Sequence, residues 1–101
     1  FVLIMTVNPG YAGQKLVPSA FRKIGEAREY LDSRGLRIPI EVDGNVSFQH
    51  IPRMVAAGAG ILVAGSSSVF NPGGTRRENV ARARECIESG LASRRRGRRK
   101  A

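Results

Sequence analysis

Apolar and polar positions along this 101-residue chain follow two rhythms. Phe1 to Val7 is a nearly unbroken apolar run, and so are Ile38 to Val42 and Ile61-Leu62-Val63-Ala64. Runs without alternation predict strands of a parallel sheet, here over residues 1–7, 38–43 and 61–64. Between them the period lengthens. Over residues 18–34, Phe21, Ile24, Ala27 and Leu31 recur at helical spacing, while Arg22, Lys23, Glu26, Arg28 and Glu29 take the other positions. Pro18 and Ser19 suit the start of this helix and Gly35 its end. A second helix runs through Ile51, Met54, Val55 and Ala56 to Gly58, with Ser47 as its expected cap and Pro52 close to its first turn. A third opens on Thr75-Arg76-Arg77-Glu78, a capping box, and is expected to reach about Leu91 with Val80, Ala83, Ile87 and Leu91 facing inward.

The order β-α-β-α-β-α predicts an α/β fold of parallel strands joined by right-handed crossovers. With helices on one face, three strands leave the other face and both edges bare, so further strands are expected from a larger protein or a second chain. The chain opens inside an apolar run, with neither an initiator Met nor a basic leader, as a slice of a longer protein does. Residues 1–91 are assigned to this partial fold and residues 92–101 to a basic, disordered tail.

Charge supports that division. Of the net +9, the tail carries six basic residues, and residues 1–93 hold eleven basic against eight acidic ones. A solvated tail is the favoured reading of Arg94 to Lys100 over a nucleic-acid contact, because no aromatic residue interleaves with the run and no reading motif accompanies it. A non-catalytic fragment with a basic nucleic-acid-binding tail is the alternative of another class. The single cysteine, Cys86, fits a reducing, cytoplasmic setting and argues against a thiolate metal site. No apolar run approaches the roughly 20 residues of a membrane span, so no membrane partner is expected.

Candidate chemistry gathers at the strand ends. Asp43, followed at once by Gly44, stands where a parallel strand surfaces at its C-terminal end, the edge at which α/β folds bind ligands. Asn8-Pro9-Gly10-Tyr11-Ala12-Gly13-Gln14 reads as a loop whose glycines let backbone come close to a substrate. Gly65-Ser66-Ser67-Ser68 offers amides and hydroxyls to a phosphate, or is a serine-rich turn. His50, the only histidine, reads as a solvent-facing or capping residue.

These segments carry a resemblance. Met5 to Gln14 resembles the M-T-V-x-P-G-[FY]-x-G-Q signature of the ribulose-phosphate 3-epimerase family, and Glu41-Val42-Asp43-Gly44 resembles its E-V-D-G motif. Ala56-Ala57-Gly58-Ala59 and Leu62-Val63-Ala64-Gly65-Ser66 are similar to its A-A-G-A and V-A-G-S segments, in the same order and spacing over residues 1 to about 90. The resemblance implies a TIM (β/α)₈ barrel, of which this chain would be the last three strand–helix units. It implies a cytoplasmic isomerase of carbohydrate metabolism, in the pentose phosphate pathway, interconverting ribulose 5-phosphate and xylulose 5-phosphate by metal-assisted proton transfer at C3. Asp43 would be both a ligand of the divalent metal (Zn, Fe, Mn or Co) and one of two acid/base residues. Met5 would line the reacting centre, Gly10, Tyr11, Ala12 and Gly13 would contact the sugar phosphate, and Gly44, Gly65 and Ser66 would hold its phosphate. A full-length member would be a homo-oligomer.

Such chemistry suits these residue types. Epimerisation beside a ketone needs a base on one face of the carbon and an acid on the other. The intermediate is an enediolate, whose charge a divalent metal can stabilise. Two departures from the family pattern matter. Asn45 replaces the second glycine after D-G, which opens allulose 6-phosphate as an alternative substrate. The family's second catalytic aspartate and its metal-binding histidines lie on early strands, and His50 is in the wrong element to replace them. The isolated chain is therefore expected to show little or no epimerase activity.

Overall fold

The computed structural model describes residues 1–6, 16 and 19–100, the side chains of 98–100 apart. The three apolar runs become β1 (Val2–Met5), β2 (Ile40–Asp43) and β3 (Ile61–Val63), a parallel sheet in the order β1-β2-β3. Its register stacks Ile4, Val42 and Leu62 in one row, and Met5, Asp43 and Val63 in the next. Alternation along each strand sends these rows to opposite faces. Ile40 and Val42 are completely buried, and with Ile4 and Leu62 they meet the helices. Leu3, Met5, Ile61 and Val63 point the other way and are exposed.

The helices α1 (Ala20–Ser33), α2 (Ile51–Ala57) and α3 (Arg76–Lys100) bury the stripes that the spacing predicted. Ile24 and Leu31 of α1, and Ile51, Met54 and Val55 of α2, lie in one core with the sheet, and Ala83, Ile87 and Leu91 of α3 join it. Val80 does not. It is half-buried at a shallow cleft shared with Arg76, Arg77, Ala81 and Arg84. α2 packs closely on α3 at Gly90, where a Cβ would stand 2.6 Å from the Pro52 carbonyl oxygen and 2.7 Å from Val55 Cβ. A glycine lets the helix axes approach at this point.

Helix ends follow their local chemistry. Glu78 N–H donates to Thr75 Oγ1 and Thr75 N–H donates to Glu78 Oε1, each at 3.1 Å, which completes the expected capping box. Ser47, the expected cap of α2, is displaced from that role. His50 is the N-cap, without a side-chain capping bond, and Pro52 falls in the first turn, where its missing N–H costs nothing.

The largest departure from expectation is at the C-terminus. Residues 92–100, expected as a disordered tail beyond a helix ending near Leu91, continue α3 to Lys100. The reason is partly local, since no proline interrupts the run. It is also tertiary. Arg94 turns inward, its Nε donating to Val55 O at 2.9 Å and its Nη2 donating to Val55 O and, at 3.1 Å, to Ala59 O. A cation thereby satisfies carbonyls at the C-terminal end of α2 and ties α3 down past Leu91.

Candidate functional site

Three strands in parallel register bring their C-terminal ends to one edge. Met5 and Asp43 are direct partners across β1 and β2, and Val63 is Asp43's partner on β3. Because side chains two apart share a face, Glu41 and Asp43 both stand on the open side of the sheet with Leu3, Met5, Ile61 and Val63. Asp43 is half-buried there, last in its strand, among apolar neighbours. A carboxylate so placed can exchange a proton with a molecule lying on the open face.

The backbone turns sharply after Asp43. Gly44 has φ 122° and Asn45 φ 49°, both in the left-handed region. Glycine takes such angles freely, and asparagine is among the few side chains that tolerate them. The turn is braced from two directions. Thr6, completely buried at the end of β1, donates its N–H to Asp43 O at 2.9 Å. Its hydroxyl reaches the carbonyls of Asp43, at 3.1 Å, and Gly44. On the far side Asn45 O accepts from Ser47 N–H at 2.9 Å and lies 3.2 Å from His50 Nδ1, which is also 2.9 Å from Ser47 Oγ. One proton on Nδ1 can serve both oxygens, whereas a bare Nδ1 would face the Asn45 carbonyl with a lone pair. His50, half-buried at the N-cap position of α2, is thus also a brace under the turn.

Beyond β3, Gly65 O accepts from Ser68 N–H at 3.1 Å and Phe70 N–H at 3.0 Å, folding Gly65–Phe70 into a tight turn. Ser66 is exposed at its tip, and Gly65 is half-buried. The N–H groups of Ser66 and Ser67 have no backbone acceptor among the described residues. Ser68 is completely buried, and its hydroxyl finds no partner among those residues. Asn79 holds the outgoing loop to α3, its Nδ2 donating to Val69 O at 3.0 Å and Asn71 O at 2.9 Å.

The structure therefore gathers Met5, Asp43, Gly44, Asn45, Gly65 and Ser66 at one edge of the sheet. Gly10, Tyr11, Ala12 and Gly13 lie outside the described residues. Sequence reading missed Thr6 and Asn79. A polar residue closing an apolar strand was the available sign for Thr6, but its partners are 37 and 38 positions away. For a divalent metal, Asp43 is the one carboxylate at this edge among the described residues. No group of three or more His, Cys, Asp or Glu able to hold an ion occurs among the described residues, and His50 Nδ1 is occupied by the turn. These residues do not by themselves fit a metal centre.

Comparison with known proteins points to one family. Residues 1–70 match the Ribulose-phosphate 3 epimerase family. The chain is 42% identical over 71 residues to the ribulose-phosphate 3-epimerase of Escherichia coli K12, covering 70% of this chain and 32% of that protein. It is 48% identical over 67 residues to the enzyme of that name from Bacillus subtilis, covering 65% and 31%. Against the one from Synechocystis it is 46% identical over 70 residues, covering 69% and 30%. The chain spans about a third of the length of the curated relatives it matches.

Proposed function

This chain belongs to the ribulose-phosphate 3-epimerase family, and from that premise we propose that it supplies the last three strand–helix units of a (β/α)₈ barrel that epimerises ribulose 5-phosphate and xylulose 5-phosphate at C3. The observation that carries the reading is the placement of Asp43. It is half-buried at the C-terminal end of β2, on the sheet face away from the helices, with Met5 beside it in register. In a closed barrel that face becomes the interior and that edge the mouth of the site.

Asp43 would take or return the C3 proton on one side of the sugar. Met5 would keep water from the reacting carbon. The amides after β2 and β3, at Gly44–Asn45 and Gly65–Ser66, would hold the phosphate, since barrels commonly bind phosphate after their last two strands. The opposing acid/base group would come from an element outside this sequence. Asp43 is the one ligand the described residues would offer a divalent metal, and the remaining ligands would come from outside this sequence.

A chimera tests this reading. Residues 1–91 would replace the matching segment of the Escherichia coli relative, and turnover of ribulose 5-phosphate would be followed. The chimera is expected to turn over, and Asp43→Asn is expected to lower kcat by roughly 10²–10⁴-fold with little change in folding. A folded chimera whose activity survives Asp43→Asn would sink the assignment. The same chimera offers a test of substrate size. Asn45 holds φ 49° with a side chain where the family has glycine, so allulose 6-phosphate is the second substrate to compare.

A further inference from the structure

Ten of the seventeen basic residues lie in α3 with only three of the eight acidic ones, so this helix carries +7 of the net +9. After Glu88 the chain has no further acidic residue and six basic ones. The family match ends at residue 70, so the whole of α3 lies outside it. We propose that the C-terminal turns of α3 are a binding element for the phosphate backbone of duplex nucleic acid.

Order distinguishes this end from a solvated tail. Arg94 is spent inward on Val55 O and Ala59 O, and that contact fixes the rotation of the helix about its axis. With Arg94 facing the core, its neighbours Arg95 and Arg96 are held exposed. Arg77 and Arg84, seven apart, and Arg95, eleven further on, fall along one stripe of a helix with 3.6 residues per turn, and all three are exposed. The ion pairs Arg22–Glu26 and Arg28–Asp32 are both in α1, and the exposed Arg77, Arg84 and Arg95 have no carboxylate partner among the described residues.

Ordinary helix chemistry does not account for six cations here. The helix dipole favours basic residues in the last turn, but that effect fades within one turn. Cations three or four residues apart repel one another on a helix, and the run 94–100 contains several such spacings around Gly97, itself a poor helix former. A polyanion would relieve that repulsion. Arginine forks match phosphate oxygens, and contact to the backbone alone needs no base-reading motif. A membrane surface fits less well. No large apolar residue follows Leu91 to enter a bilayer.

The test is fluorescence anisotropy of a labelled 20-base-pair duplex with the full 101-residue chain. Affinity is expected in the micromolar range at about 50 mM salt and to fall roughly 50- to 150-fold by 200 mM, as for three or four phosphates contacted. Arg95→Gln/Arg96→Gln, which leaves Arg94 in place, is expected to keep the far-UV spectrum and lower the salt slope by about two. Three results would each overturn the proposal: no binding at 50 mM salt, binding unchanged in the double variant, or tighter binding to phosphatidylserine vesicles than to the duplex.

Discussion

The two faces of the sheet are written by alternate residues of the same strands, yet they do opposite things. On the helix side Ile40 and Val42 are 0% exposed. On the other side Leu3 is 47%, Met5 38%, Ile61 36% and Val63 41% exposed. The first face holds the chain together. The second presents Glu41 and Asp43 among apolar side chains that no described residue covers. Stability and proposed chemistry are therefore separated by a single residue step along each strand, and substitutions should separate them too.

The largest effect belongs to the covered face. Ile40→Ala deletes a fully buried side chain and should cost about 2–5 kcal/mol. In a domain this small that is enough to unfold much of the population. On the open face, Val63→Thr should stay within about 0.5 kcal/mol, as exposed substitutions do. Urea unfolding followed by circular dichroism would compare the two. A large loss for Val63→Thr would break the comparison, because it would mean that the open face is packed against something in solution.

Thr6 sits where the two faces meet their common edge, and it should show an intermediate effect. Thr6→Val keeps the shape but removes the hydroxyl that reaches the Asp43 and Gly44 carbonyls. The expected cost is about 1–2 kcal/mol, the range for losing a buried hydrogen bond. Thr6→Ser should recover most of it. Amide exchange at Gly44 and Asn45 would sharpen the result, since the proposed role is to hold that turn. Unchanged exchange there in Thr6→Val would assign Thr6 to packing alone.

These expectations also mark what the linear pattern could and could not tell. Strand runs, helical stripes and the capping box are local signals, and the parallel sheet followed from their order. The motifs of the resembled family singled out Met5 and Asp43 separately, and only the register shows that they are partners across β1 and β2. Thr6 was not legible, because nothing near it in sequence says what its hydroxyl meets. Arg94 was misjudged for a related reason. In sequence it is one cation in a run that looks disordered. In the fold it answers the carbonyls of Val55 and Ala59, 39 and 35 positions earlier, and carries the helix past its expected end.

The smallest effect lies far from both faces, at the start of α3. Thr75 holds the Glu78 carboxyl below its ordinary value of 4.5, through its side chain first and then its backbone N–H. A depressed folded pKa means that the folded chain binds this proton less readily than the unfolded one. The contribution is therefore present above 4.5 and is lost as pH falls through the lower folded value. Glu78 is fully exposed, so the effect on global stability is slight and the test must be local. Titrating the Glu78 carboxyl carbon and the Thr75 amide by NMR should give one shared inflection below 4.5. Glu78→Gln keeps an acceptor for the Thr75 N–H but nothing to titrate, so the amide inflection should vanish while the helix remains. An inflection at or above 4.5 would mean that the cap does not form in solution, and α3 would then begin without the brace that its first turn shows.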